Sequence, residues 1–211
     1  MYKTKTLVEH VKRSVVDAVW DRSKLPKGVL DIEGMSSNKI RHLLNNIMDM
    51  PDVNYLEIGV WKGSTFVSSL YGNDVKSAYA IDDWSQFNGK KSKKVFESNC
   101  EAFNIVNYEL FNENSFKLDL SKIKTKINVY FYDGDHFEEW SYAAIKYYYE
   151  VLADQFILIV DDYDWPMVRK GIERGISDCN LNILYENHLQ SNFCGDKDTW
   201  WNGLYIALIN K

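Results

Sequence analysis

Between about residues 53 and 179 short apolar runs alternate with stretches of helical period, and no other feature of the chain restricts its fold so tightly. The runs at 53–58, 78–81, 106–111, 127–132 and 156–160 have the length of strands, and several are apolar throughout. A strand apolar on both sides must be covered on both sides, which a parallel sheet with a layer of helices on each face achieves. The intervening stretches predict helices at about 64–71, 91–103, 138–152 and 167–179, with only a short polar stretch after the third run. Two last runs, 181–185 and 203–209, have no helix between them, so the final strand is expected to be antiparallel. Upstream, Leu7, Val11, Val15, Val16 and Val19 form one face of an amphipathic helix over 5–20. Pro26, Gly28 and Gly34 then break the pattern, and Ser36 or Ser37 caps a second helix that Pro51 ends. The expected fold is α/β: a doubly wound, mostly parallel seven-stranded sheet with an antiparallel last strand and helices on both faces.

A chain of 211 residues with 45% hydrophobic content can bury one sizeable core, so one domain over 1–211 is expected, with a helical cap at 1–50 and the α/β core at 51–211. The formal charge of −5 offers no broad footprint for phosphate backbones, which argues against a nucleic-acid partner. No apolar run reaches the roughly eighteen residues of a membrane span, and the first residues lack a signal-peptide core, so a soluble, cytoplasmic chain with no membrane partner is expected. Cys100, Cys179 and Cys194 are too few and too scattered for a disulfide framework and read as reduced thiols.

In an open parallel sheet a ligand lies at the carboxyl ends of the strands. Here those ends read Glu57 and Gly59, then Asp82 and Asp83, then Glu113 and Asn114, then Asp133 and Asp135, then Asp161 and Asp162. Around the first of them the order is strand, acid, glycine turn, helix: Leu56-Glu57-Ile58-Gly59 followed by Gly63-Ser64-Thr65. Gly59 and Gly63 allow close approach of main chain to a ligand, and the start of the next helix presents free N–H groups. Three residues separate the two glycines, which does not fit the turn that grips a pyrophosphate. Asp82 stands some twenty-five residues past Glu57, about where doubly wound folds place a carboxylate on ribose hydroxyls, and Trp84 beside it offers a face to adenine. Carboxylates at neighbouring strand ends repel one another unless a cation or a proton sits between them, and a hard dication with oxygen ligands suits Asp135, Asp161 and Asp162. The alternative use of these aspartates is as helix caps. His136, next to the acids, is open to service as a base, a ligand or a hydrogen-bond partner.

With these residues in view, the chain resembles the class I S-adenosylmethionine-dependent methyltransferases, whose fold is Rossmann-like. The stretch from Leu56 to Thr65 is similar to their first motif and Ile81-Asp82 to their second; Asp133-Gly134-Asp135-His136 with Asp161-Asp162-Tyr163 resembles the small metal-dependent O-methyltransferases of the macrocin and catechol types. The resemblance spans about 53–165, with Trp201-Asn202-Gly203-Leu204 also family-like. It implies S-adenosylmethionine as cofactor, its amino-acid portion over Glu57, Gly59 and Asp133 beside Gly63, Ser64 and Thr65, its ribose on Asp82, and its adenine near Trp84 and Asn114. It further implies Mg²⁺ or another divalent cation on Asp135, Asp161 and Asp162, holding a small-molecule or sugar hydroxyl, with Asp135 and His136 as the catalytic pair. The catechol type carries a lysine base two residues past its histidine, where this chain has Glu138, so the base stays open. Segments 20–37, 84–92 and 186–202 are expected to line the acceptor pocket. Two other readings compete: a nucleotide-sugar glycosyltransferase using Asp133-Gly134-Asp135, and a cofactor-binding protein without activity. The helix over 5–20 has two uses open to it, capping the pocket or burying itself in a homo-oligomer.

Overall fold

The computed structural model describes residues 4–87 and 89–211. Its strands are β1 (Asn54–Ile58), β2 (Ser77–Ile81), β3 (Glu109–Phe111), β4 (Ile127–Tyr132), β5 (Leu152–Val160), β6 (Asn182–Leu189) and β7 (Leu204–Asn210). They form one sheet in the order β3-β2-β1-β4-β5-β7-β6. The pairs among β1 to β5 are parallel, whereas β7 runs antiparallel to both β5 and β6. The chain thus starts in the middle of the sheet and winds outward one way and then the other, which leaves the reversal point between β1 and β4, where a crevice opens.

Side chains alternate across each strand and feed two cores. Tyr55, Val129, Phe131, Ile157 and Ile159 face one side, packed beneath α1 (Thr4–Val19), α3 (Asn38–Ile47), α4 (Ser64–Leu70) and α5 (Lys90–Ala102). Leu56, Ile58, Tyr130, Leu158 and Val160 face the other, covered by α6 (Glu138–Tyr148) and α7 (Pro166–Asp178). Burial on both faces is what the unbroken apolar runs required. The Ser37 hydroxyl accepts the Ile40 N–H and caps α3, as its position before the apolar period implies.

Several boundaries differ from the sequence expectation. A four-residue helix, α2 (Lys27–Leu30), forms where Pro26 and Gly28 suggested only a break; Pro26 takes the extended conformation of an N-cap and starts the turn. The third strand begins at Glu109 rather than 106, and Val106 is exposed. The helix expected to reach 152 ends at Tyr148, because Leu152 already belongs to β5, whose polar start pairs Gln155 with Asn210. The edge strand β6 runs on through Glu186, Asn187 and His188, which alternation of hydrophobicity does not reveal on a half-exposed edge. Asn88, inside one segment expected to line the acceptor pocket, lies outside the described residues.

Candidate active site

The carboxyl ends of β1, β2, β4 and β5 open on a cavity of about 680 Å³. All three segments expected to shape the acceptor pocket reach it, through Met35 and Ser36, through Ser85 to Phe87, and through Trp201 and Asn202. Gly59 forms the floor. Its φ is +89°, and a Cβ there would stand 1.8 Å from the Asp133 carbonyl oxygen, so any side chain would collide with the main chain after β4. Ser64, Thr65, Asp82, Asn114 and Asp133 also line the wall, as expected of a cofactor pocket.

Three residues expected to touch the cofactor stand behind the wall. Glu57 lies two positions past Tyr55 on β1 and therefore points into the same core, fully buried under α4. Its two oxygens accept from the Tyr55 hydroxyl and the Thr65 hydroxyl, each at 2.5 Å. Burial pushes its carboxyl up to about 7, against the opposing pull of those two hydrogen bonds. Gly63 is the left-handed residue before α4, packed on Phe96. Trp84 is buried against Phe96 and donates its ring N–H to the Trp61 carbonyl at 2.8 Å, so it is core rather than an adenine platform. Asp82 lines the cavity and braces two loops: its oxygens accept the backbone N–H groups of Trp61 at 2.8 Å and Trp84 at 2.7 Å. Burial nevertheless raises its pKa.

At the ends of β4 and β5 the acids group differently from the sequence expectation. Ligand atoms of Asp133, His136 and Asp162 lie within 4.8 Å of one another. Asp135 is not in that group: three residues beyond the strand end the chain has turned, and its carboxylate accepts the Phe137 N–H at 3.1 Å. Asp133 stays at the strand end, where burial and then the charges of Asp161 and Asp162 drive its pKa well up. Asp161 is driven up in the same way, by burial and then by Asp162. Its Oδ1 is buried with no hydrogen-bond partner among the described residues, an expensive arrangement for a polar atom.

Asp162 has φ +56°, a conformation that swings its side chain back toward β4. One oxygen accepts Asn202 Nδ2 at 2.6 Å and the other meets His136 Nε2 at 2.6 Å. Burial opposes protonation of His136, but the hydrogen bond to Asp162 and the charges of Asp162 and Asp135 outweigh it, and the pKa rises. Asn202 entered the sequence reading only as part of a closing strand; it is the residue that fixes Asp162. The donor atoms that converge are two carboxylates, Asp133 and Asp162, and the His136 imidazole, with the partnerless Asp161 oxygen on the adjoining residue, a set of oxygen and nitrogen donors able to take a divalent cation.

A seven-stranded sheet in this order, with its cavity at the reversal point, a glycine turn after β1 and an acid after β2, defines a class I S-adenosylmethionine-dependent methyltransferase. Residues 56–163 match the family model described as a methyltransferase domain, and the chain belongs to that family. Among solved structures, an O-methyltransferase from Bacillus cereus in complex with S-adenosylhomocysteine superposes with a TM-score of 0.58 at 16% identity, covering 100% of this chain and 93% of that one. TrmK from M. capricolum, also with S-adenosylhomocysteine, gives 0.54 at 18% identity over 80% of this chain and 67% of that one. At such identities the likeness shows the fold. Among curated sequences, the uncharacterized protein R132 of Acanthamoeba polyphaga mimivirus is 23% identical over 148 residues, 65% of this chain and 66% of the viral protein. The structural relatives also include an rRNA methylase from Streptococcus thermophilus, with a TM-score of 0.54 at 13% identity over 81% of this chain and 95% of that one.

Proposed function

We propose that the chain is a divalent-cation-assisted O-methyltransferase whose acceptor is a small, unphosphorylated molecule presenting an apolar or planar face next to its hydroxyl. The observation that carries this reading is the buried, partnerless Oδ1 of Asp161 beside Asp133 and Asp162. The set differs from the one the sequence suggested by taking Asp133 in place of Asp135. The acceptor class rests on the cavity wall. Among the described residues that line it none is Lys or Arg, which leaves a phosphate without a counter-charge. Its mouth instead collects Met35, Phe87, Phe137, Trp140 and Met167, all exposed apolar side chains, and Phe116 stacks on Trp140 with centroids 5.1 Å apart. Exposed apolar residues gathered at one opening mark a binding surface.

When bound, S-adenosylmethionine supplies an activated methyl group and a divalent cation lowers the pKa of the acceptor hydroxyl. The protein's part is placement. With both groups bound, Asp82 would hold the ribose end, the Gly59 turn would let the cofactor approach, and Asp133 and Asp162, with the Asp161 oxygen beside them, would hold the cation. His136, oriented by Asp162, would take the proton of the acceptor hydroxyl. The Asp133-Gly134-Asp135 triplet does not act as a paired metal grip, since Asp135 is committed to its turn, and this weakens the glycosyltransferase reading. The test is a methyl-transfer screen of phenolic and sugar hydroxyl acceptors with S-adenosylmethionine and Mg²⁺. Asp161→Asn should abolish transfer and keep the affinity for S-adenosylhomocysteine within about twofold, and full activity of the wild type in EDTA would remove the cation from the proposal.

A further inference from the structure

Helix α5 opens on Lys90, Lys91, Lys93 and Lys94, at the end of a helix where cations are least favourable. Its first turn holds no acid, and its N-cap Gly89 supplies no side-chain hydrogen bond. Lys93 reaches Glu97 at 3.7 Å, whereas Lys90, Lys91 and Lys94 are exposed and make no ion pair among the described residues. Lys94 follows the other two by one turn, so these like charges share one helix surface and repel. In a chain of net charge −5 that concentration weakens the turn unless an anion meets it.

The lysine turn is fastened to the rim of the cavity. Ser92, buried within the run, donates its hydroxyl to the Phe87 carbonyl at 2.6 Å, and the Trp61 ring N–H donates to the same oxygen at 3.3 Å. Phe87 stands at a φ of +45°, a costly conformation for a bulky residue. It shares the rim with Met35, Phe137, Trp140 and Met167, and each of the five is 42–59% exposed. Acids that neighbour these side chains in sequence are matched, Glu33 by Lys62 and Glu138 and Glu139 by Arg174. Asp83, which lines the cavity and accepts the Ser85 N–H at 2.9 Å, is outnumbered by the three free lysines.

Large apolar side chains standing out around an opening, beside lysines whose long stems carry charge outward, suit the headgroup layer of a bilayer. Every cation in the run is Lys and none is Arg, whereas protein interfaces favour Arg and are depleted in Lys, so an acidic protein is the poorer match. Resting on the acceptor class given above, we propose that the cavity mouth docks reversibly on an anionic bilayer surface. Phe87, Phe137 and Trp140 enter the headgroup layer, and Lys90, Lys91 and Lys94 meet lipid phosphates. An acceptor with an apolar face is concentrated in that layer and enters the cavity from it. No helix among the described residues is long and apolar enough to cross a membrane, so the contact is peripheral. The expectation of no membrane partner rested on spanning runs, which do not bear on surface contact.

Sedimentation with vesicles of phosphatidylcholine alone, and of phosphatidylcholine with an equal part of phosphatidylglycerol, tests this. At about 0.1 M salt the wild type should bind the mixed vesicles about a hundredfold more tightly than the neutral ones, and the triple variant Lys90→Gln, Lys91→Gln, Lys94→Gln should lose most of that preference. The variant's affinity for S-adenosylhomocysteine should stay within about twofold of wild type, which verifies its fold. Phe87→Ser with Trp140→Ser should weaken binding to the mixed vesicles by about tenfold or more. Equal binding of the two vesicle types, binding of neither, or an unchanged preference in the lysine variant would overturn the proposal and leave the methyltransferase reading intact. Binding of polyglutamate but not of mixed vesicles would assign the lysines to a protein partner and overturn it likewise. Wild type that docks on mixed vesicles but does not bind S-adenosylhomocysteine would instead refute the methyltransferase reading. Should the lysine variant not fold, salt decides the matter: wild-type binding to mixed vesicles must fall by about tenfold or more between about 0.1 M and about 0.5 M salt, and binding indifferent to salt would refute the assignment.

Discussion

Replacing Glu57 by glutamine separates the charge of the buried acid from its shape. Glu57 is fully buried and its carboxyl is raised from 4.5 to about 7. Between those values the folded protein holds a proton on Glu57 that the unfolded chain has released, so stability falls as pH rises through the window and levels off above about 7. The gap amounts to about 3 kcal/mol. Glutamine carries no charge at any pH, yet both partners of Glu57 are hydroxyl donors, and its amide N–H₂ would face one of them. That mismatch costs about 1–3 kcal/mol at every pH. Urea unfolding at about pH 5 and about pH 8 should therefore show Glu57→Gln less stable than wild type by about 1–3 kcal/mol in acid, with that gap closing or reversing in base as the wild type loses up to about 3 kcal/mol. A stability gap that is the same at both pH values would show that Glu57 titrates as an ordinary carboxylate, and the argument from burial would fail.

Other outcomes are fixed by the same geometry. Gly59→Ala should lower stability by more than about 3 kcal/mol, since the new methyl would overlap the Asp133 carbonyl; a thermal midpoint near wild type would contradict that contact. Trp84→Phe should cost about 1–3 kcal/mol through the lost bond to the Trp61 carbonyl and the lost packing, with affinity for S-adenosylhomocysteine unchanged within about twofold. In Asp162→Asn the His136 pKa should fall, because burial still disfavours the charged ring and the neighbouring charge that outweighed it is gone; an NMR titration of the imidazole that does not move would break the His136–Asp162 link.

The central strands were legible because their burial on two faces leaves continuous apolar runs, and the acid at each carboxyl end could be counted from the same runs. What those acids do was harder to read. Sequence places Glu57 at the end of a strand but does not say which face it takes; pairing it with Tyr55 by the period of two would have pointed it into the core. Asp133 and Asp135 flank one glycine, and only the path of the turn decides that the first joins Asp162 while the second accepts the Phe137 N–H in the turn before α6. Trp84 gives no outward sign of its partner, since Phe96 and the Trp61 carbonyl come from other segments.

Asp82 already holds a backbone hydrogen bond on each oxygen before any ligand arrives, one from the loop after β1 and one from the loop after β2. Those two loops are thereby clamped to a single anion, and any ligand settling on it encounters a rim whose ordering entropy was spent during folding. Occupancy should then change the fluctuations of this corner very little. Hydrogen exchange at the Trp61 and Trp84 amides would already be slow in the ligand-free enzyme.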